Sequence, residues 1–443
     1  MSRRHPAKTP ALPLSADPVD LPWSWYLMPQ PVFLPGHQVD LLRGGEALFP
    51  SMVAAIGLAR HEVWLATYIF QTDEAALSVA VALEQAARRG VRVRVVIDGF
   101  GSHDSLARLE PRLSAAGVAV TVFRPLERWT HWLQPGQLRR LHMKLCVVDG
   151  DVGYVGGINL MDDCFDLHHG TSARPRLDYA VCVRGPVVLA MSHAVRAMWS
   201  RAWFGQDWRE EARALVRGPR PLHKLRGVVQ RMRLTREGPR WDGPSPQVSG
   251  PPVLAAFVLR DNFRQRRSIE RAYIQAIESA QARIWLVTPY FYPGREFRRA
   301  LCEAARRGVQ VRLLMQGKPD YRLAAMAARV LYDGLLRCGI EVYEYAPAFL
   351  HAKVMLVDDD WSTVGSSNID PLSLLLNLEA NLVVRDEVFT QHLATEITHA
   401  LAESEAITPQ RVRDGGWTGI APRTLVAWCA YLYLRLAGVT GRY

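Results

Sequence analysis

The sequence predicts an α/β protein in which one unit of strands and helices occurs twice. Three observations carry that prediction: segments that recur in the same order in both halves, an apolar pattern that alternates between strand and helix periods, and a length suited to two cores. Residues 62–70 read EVWLATYIF and 283–291 read RIWLVTPYF; residues 86–97 read AARRGVRVRVVI and 304–315 read AARRGVQVRLLM. Residues 142–149, HMKLCVVD, match 351–358, HAKVMLVD, and 178–185, DYAVCVRG, match 379–386, EANLVVRD. A shared order of this kind points to duplication. At 443 residues the chain is also too long for one ordinary core.

Within each half an apolar strand (63–69, 284–291) leads into a helix of amphipathic spacing (75–89, 296–307) that ends at Gly90 or Gly308. Glycine suits the left-handed position after a helix. A β-branched strand follows at once (91–97, 309–315), then a second helix (103–116, 322–338) and the strand carrying the histidine motif. Strand, helix, strand in this order implies parallel pairing through a helical crossover. Residues 1–35 read as a lead-in, 36–208 as the first domain and 209–253 as a basic Pro/Arg-rich linker with a short helix at 222–236. Residues 254–402 form the second domain, and 403–443 a tail with an apolar stretch.

The net charge of +11 favours anionic partners, and phosphate is common to the obvious ones, nucleic acid and acidic lipid. Cys146, Cys164, Cys182, Cys302, Cys338 and Cys429 form no CxxC pair, and most fall in apolar runs where a reduced cysteine acts as a small hydrophobe. Six reduced cysteines and a reducing compartment are therefore expected. Pro6, Pro10 and Pro13 interrupt any apolar signal-peptide core after Arg3 and Arg4, so the reading is cytoplasmic, without a signal peptide.

The chemistry lies in the repeated histidine segment. Side chains two apart on a strand share a face, so His142 and Lys144 project together, as do His351 and Lys353. Imidazole can attack phosphorus or move a proton, and an ammonium can bind a nonbridging oxygen. Asn159 and Asn368 follow at equal distances, after Gly156-Gly157 and Gly365-Ser366, and offer a neutral amide donor to the same phosphate. A single HxKxxxxD also fits an ordinary strand with a surface histidine. Two copies in register within a whole-domain repeat do not.

HMKLCVVDGDVGYVGGIN and HAKVMLVDDDWSTVGSSN resemble the paired HKD motifs of the phospholipase D superfamily. RDNFRQRRSIERAY (260–273), residues 350–384 and the YIF…D stretch near 68–73 are similar to bacterial cardiolipin synthases, in the shorter form without N-terminal membrane spans. The resemblance runs from about 37 to 400. It implies two pseudo-symmetric phospholipase D-like α/β/α lobes sharing one active site, with both histidines on one phosphate. It also implies His142 as nucleophile and His351 as acid/base, through a phosphohistidine. Asp178 and Glu379, in one column of the repeat, resemble the carboxylates that orient the histidines. Asp149 and Asp358 are expected to be structural, since they lie at a turn on the opposite strand face.

Lys144, Lys353, Asn159 and Asn368 together can neutralise the phosphate, so neither a metal nor another cofactor is implied, and no HExxH, EF-hand or CxxC pattern competes. The first half is longer than the second both before its histidine and between Asn159 and Asp178. Trp129, His131, Trp132, Phe165, His168 and His169 near these insertions either shape the acceptor side of the pocket or mark loop variation.

The expected partner is an anionic phospholipid at a membrane surface, met peripherally at the cytoplasmic face of a bacterial membrane. TLVAWCAYLYLRLAGV (424–439) suits an interfacial helix, and LHKLRGVVQRMRL mixes cations with apolar residues. No RRM, KH, zinc-finger or helix-turn-helix pattern supports a nucleic-acid partner. The expected activity is phosphatidyl transfer from phosphatidylglycerol, or phosphatidylethanolamine, to make cardiolipin. The alternatives are a phospholipase D-type phosphodiesterase or nuclease, and a non-catalytic membrane- or DNA-binding module. The sequence leaves oligomeric state open.

Overall fold

The computed structural model describes residues 30–125, 139–166, 170–217, 253–261, 265–318, 322–370, 373–374 and 377–414. Trp129, His131, Trp132, His168, His169, the segment 222–236 and the apolar stretch 424–439 lie outside the described residues.

The first half contributes β1 (Leu34–Arg43), β2 (Glu62–Thr67), β3 (Arg92–Asp98), β4 (Ala119–Phe123), β5 (Lys144–Val148), β6 (Val152–Gly156), a two-residue hairpin of β7 (Phe165–Asp166) and β8 (Gly170–Thr171), and β9 (Tyr179–Arg184). The second contributes β10 (Val253–Arg260), β11 (Arg283–Val287), β12 (Gln310–Gln316), β13 (Glu341–Tyr345), β14 (Val354–Val357), β15 (Trp361–Gly365), β16 (Glu379–Arg385) and β17 (Ser404–Ala406). Fifteen of these form one sheet in the order β17-β13-β12-β11-β14-β15-β16-β10-β1-β9-β6-β5-β2-β3-β4. Read outward from the antiparallel β1–β10 pair, both halves run through the same strands, so that pair marks the pseudo-twofold. β2, β3 and β4 pair in parallel, as do β11, β12 and β13, which is the crossover arrangement expected from the strand–helix–strand pattern.

The matching helices in the two halves, Glu74–Arg88 and Arg295–Arg306, each close on an arginine C-cap followed by glycine: Gly90 has φ +89° and Gly308 φ +92°. A residue with a Cβ is strained in that region, so both helices stop where the sequence says they should. Asp73 caps Glu74–Arg88 by accepting the Ala76 amide at 2.9 Å, and Asp386 caps Glu387–Ala402 by accepting the Phe389 amide at 2.7 Å.

The repeat extends further upstream than the segments legible in the sequence. In each half a strand and a helix precede the first recognised strand: β1 with Gly44–Leu58, and β10 with Ser268–Ser279. One face of the sheet carries a single core that crosses the pseudo-twofold, joining Trp64, Val147 and Met191 to Leu259, Val354 and Leu393. The opposite face carries a separate core in each half, with Ile56, Leu83 and Leu109 in the first and Ile277, Leu301 and Leu335 in the second. Burying such side chains drives folding, and the shared core makes the halves one body.

Two expectations are corrected. The histidines are not inside sheet strands: β5 begins at Lys144 and β14 at Val354, and each histidine lies in the extended segment just before. Cys302 and Cys338 are not reduced. They form a disulfide with Cα atoms 5.2 Å apart, tying helix Arg295–Arg306 to the residue after helix Arg322–Arg337. Both cysteines sit among apolar residues in sequence, and only the packing of the two helices brings them within bonding geometry. Cys146, Cys164 and Cys182 are free.

Candidate active site

β5 runs antiparallel to β2, and β14 to β11. The segments that enter them therefore lie at the carboxyl ends of the parallel strands, the usual place for a site in an open α/β sheet. Each segment is tied to the opposite half. The His142 amide donates to the Leu378 carbonyl at 3.0 Å, and the Leu378 amide to the Arg140 carbonyl at 2.8 Å. The His351 amide donates to the Leu177 carbonyl at 2.9 Å, and the Leu177 amide to the Phe349 carbonyl at 2.8 Å.

Leu378 precedes Glu379 and Leu177 precedes Asp178, so this lacing brings each histidine against the other half's carboxylate. His142 Nδ1 lies 3.0 Å from Glu379, and His351 Nδ1 lies 2.6 Å from Asp178. Both carboxylates are buried, Glu379 fully. With Nδ1–H donating to a carboxylate, Nε2 of each ring keeps its lone pair for other chemistry. Neither half can assemble a working histidine without the other.

The lysines are almost wholly buried, Lys353 at 1% exposure. Lys144 Nζ donates to the His142 carbonyl at 2.8 Å, and Lys353 Nζ donates to the His351 carbonyl. Asn159 and Asn368 are buried in equivalent places, and the Oδ1 of each has no hydrogen-bond partner among the described residues. Orphaned buried amides of this kind are uncommon, and the side-chain NH₂ of each is the group able to donate to a phosphate oxygen. Asp149 and Asp358 face elsewhere. Each has positive φ, 53° and 52°. The Asp149 carboxylate accepts the amides of Arg60, His61 and Glu62, and that of Asp358 accepts those of Gln281, Ala282 and Arg283.

Burial pushes Lys144 down to about 8 against the pull of Glu379 and Asp178, and Lys353 down to about 7 against the pull of Asp178. It lowers both imidazoles as well. At His142 the Glu379 carboxylate opposes the fall, whereas at His351 Lys353, Arg176 and Lys144 add to it and the pKa drops well below its ordinary value. Burial raises Asp178 to about 6. Glu379 feels the same burial, but His142, Lys144 and the Ser366 hydroxyl, 2.5 Å away, bring it below the ordinary carboxyl range. The cleft thus sets imidazoles of lowered proton affinity beside lysines whose charge burial opposes. An entering phosphodiester anion would supply a counter-charge and raise the proton affinity of the groups it meets.

Several positioning residues escaped the sequence reading. Asp98 ends β3 and accepts the Leu141 amide at 2.8 Å; Gln316 ends β12 and accepts the Leu350 amide at 3.2 Å. They are one column of the repeat, each fixing the residue before a histidine. A polar residue closing an apolar strand in both copies was the available signal. Tyr68 stands edge-on to His142, ring centroids 4.9 Å apart, with Lys144 Nζ 5.3 Å from its own centroid. Its counterpart is Pro289, so no repeat marked it. A Cβ on Gly157 would come within 2.3 Å of Asp178 Oδ1. This position must be glycine where its partner column holds Ser366.

Two fused α/β lobes that exchange carboxylates across a shared histidine cleft define the phospholipase D class of phosphodiester enzymes. A family model described as cardiolipin synthase, PLD-like domain, matches twice, over residues 52–173 and 273–401. The chain is 34% identical to cardiolipin synthase B of Shigella flexneri over 85% of its own length and 84% of that protein's. It is 35% identical to cardiolipin synthase B of Salmonella typhi over the same shares. The crystal structure of phosphatidylserine synthase from Haemophilus influenzae Rd KW20 superposes with a TM-score of 0.60, covering 91% of this chain and 97% of that one at 14% identity, a likeness of fold. The chain belongs to the cardiolipin synthase family of phospholipase D-like proteins.

Proposed function

We propose that this protein transfers a phosphatidyl group from one phosphatidylglycerol to the hydroxyl of another, yielding cardiolipin and glycerol. The observation that carries the proposal is the crossed arrangement of His142 with Glu379 and His351 with Asp178, flanked by Lys144 and Lys353. Two imidazoles near enough to feel each other's charge can divide the reaction into two displacements at phosphorus. His142 Nε2 attacks phosphorus, and the ionised Glu379 balances the charge the ring gains. His351, held by Asp178 at Nδ1, takes up a proton at Nε2 as the phosphodiester anion binds, and gives that proton to the departing glycerol oxygen. The same ring then takes the proton of the incoming hydroxyl as that oxygen bonds to phosphorus and the phosphorus–nitrogen bond breaks, its electron pair returning to His142. Lys144, Lys353, Asn159 and Asn368 hold the nonbridging oxygens and their developing charge.

Transfer rather than hydrolysis requires that the second acceptor be a lipid hydroxyl and that water be kept out. The substrates are membrane lipids, so the enzyme works at a membrane surface, and we place it at the cytoplasmic face. Among the described residues no helix is long and apolar enough to cross a membrane. Incubating the purified protein with labelled phosphatidylglycerol vesicles should give cardiolipin and glycerol in equal amounts. Phosphatidic acid alone would make it a hydrolase, and cleavage of single-stranded DNA without lipid turnover would overturn the substrate assignment.

A further inference from the structure

The two halves differ in charge beside their histidines. In the first half FRP (123–125) and RRL (139–141) lead to His142, while the equivalent residues of the second half are YAP (345–347) and AFL (348–350). The strand register equates Phe123, paired with Asp98, to Tyr345, paired with Gln316. Arg124, Arg139 and Arg140 therefore stand where the duplicate has Ala346, Ala348 and Phe349. The second half folds the same way without these cations, so the fold does not require them.

The three arginines are built into one group. Arg124 Nη1 donates to the Arg139 carbonyl at 3.1 Å, and Arg140 Nη1 to the Arg124 carbonyl at 3.3 Å. Arg140 lies over the Phe100 ring at 5.0 Å. Its guanidinium is 3.9 Å from Asp98, a carboxylate already accepting the amides of Phe100, Gly101 and Leu141. Arg139 Nε is buried with no hydrogen-bond partner among the described residues. Arg124 holds a left-handed backbone, φ 51°, which its counterpart Ala346 does not. Such strain in a non-glycine residue is retained where surroundings over-determine it, often at functional sites. Burial and the guanidiniums of Arg139 and Arg140 lower Arg124 to about 10, as expected of cations crowded together without enough counter-charge.

We propose that Arg124, Arg139 and Arg140 form a second anion subsite beside the histidine cleft, which holds the phosphodiester of the acceptor lipid. This rests on the phosphatidyl-transfer reading and deepens it. An acceptor phosphatidylglycerol carries its own phosphate one glycerol away from the hydroxyl that reacts. Guanidinium forks suit that anion. The reacting phosphate is held by the lysines in both halves, so a one-sided cluster fits a reaction that brings a second phosphate to one side only. Gripping that phosphate would favour the lipid hydroxyl over water and small alcohols at the phosphohistidine stage.

The test is a competition at the shared intermediate. Short-chain phosphatidylglycerol, kept below its micelle-forming concentration so that no surface is present, serves as donor and acceptor with ethanol as the rival acceptor. The ratio of cardiolipin to phosphatidylethanol is read by mass spectrometry. That ratio does not depend on how much of a variant is folded or on how fast the phosphohistidine forms. The Arg124→Ala/Arg139→Ala double variant, which copies the second half's residues, should lower it at least tenfold. A ratio equal to that of the unaltered protein overturns the subsite. So does a ratio that falls on phosphatidylglycerol vesicles but not with the dispersed lipid, since the arginines would then be docking the protein to a surface. If the unaltered protein makes phosphatidylethanol but no cardiolipin, the reading of phosphatidylglycerol as acceptor fails and takes the subsite with it.

Discussion

Replacing Lys353 by methionine should make this protein more stable at neutral pH while abolishing its activity. Lys353 is 1% exposed, and burial moves its pKa from the ordinary 10.5 to about 7. Between those values the unfolded chain holds a proton that the folded protein has released, so stability rises with pH across the interval. Below about 7 both states are charged and the folded state bears the full cost, about 5 kcal/mol at 1.36 kcal/mol per pKa unit. Methionine removes that cost, but it also leaves Asp178 without its largest compensating cation and removes a hydrogen bond to the His351 carbonyl. Breaking a buried charge pair works against the gain by about 3–5 kcal/mol, so a net stabilisation of at most about 2 kcal/mol at pH 6.5 is expected. Urea denaturation of both proteins followed by tryptophan fluorescence between pH 6 and 10 would measure it. The difference should be largest at the acid end and shrink toward pH 10. A difference that is independent of pH, or a variant less stable at pH 6.5, would refute the claim that Lys353 is a buried cation waiting for an anion.

Glu379→Gln should lower turnover by about 10²-fold or more, because His142 loses the charge that balances it as a phosphohistidine; steady-state phosphatidyl transfer reports this, and a loss under threefold would contradict it. With labelled lipid and acid-stable quenching avoided, His351→Ala should accumulate a phosphoenzyme and His142→Ala should not; the reverse result would exchange the two roles. Ser366→Ala removes a hydroxyl that helps His142 and Lys144 hold Glu379 below its ordinary range, so the acid limb of the pH–rate profile should move to higher pH, while an unmoved limb would detach Glu379 from the titration. His37, wholly buried, donates from Nδ1 to the Val253 carbonyl and accepts the Val187 amide at Nε2, pinning the second half to the first. Burial lowers it from 6.5 to about 4, so as pH falls through that range the unfolded state gains a proton first and up to about 3 kcal/mol of stability is lost. In His37→Gln the acid-induced loss over pH 4–6.5 should be correspondingly smaller.

The residues that converge on the cleft were readable because duplication wrote each of them twice. His142 and His351, the lysines, the asparagines and the two carboxylates each occupy one column of an internal alignment, and chance does not repeat a column in register. An alignment of a chain with itself cannot tell which carboxylate meets which ring, however. That exchange arises from the antiparallel β1–β10 pair and the bridges of Leu141 with Leu378 and Leu177 with Leu350, contacts between residues far apart in sequence. The β1 and β10 units themselves were invisible as repeats because their segments have diverged in all but pattern. The Cys302–Cys338 disulfide was hidden for a related reason. A cysteine in an apolar run reads as core until two helices are packed, and nothing local announces that its neighbour will be another sulfur.

A duplicated site has a problem that its symmetry cannot solve: it must hold one phosphorus evenly and yet treat its two sides differently, attack on one and proton transfer on the other. The differences that break the symmetry are small and lie behind and beside the rings. Glu379 receives the Ser366 hydroxyl and falls below the ordinary carboxyl range, whereas Asp178, shorter by one methylene and packed against Gly157, receives the Tyr179 amide and is raised by burial to about 6. His142 has Tyr68 at its edge where the second half has Pro289. Arg124, Arg139 and Arg140 cluster on the His142 side, while the single Arg176 acts on His351. None of these touches the HxK pattern, which both halves keep. Selection on a fused duplicate can therefore leave the phosphate-binding groups alike and divide the chemistry through their supports, because an imidazole's proton affinity is set by the hydrogen bond at its other nitrogen.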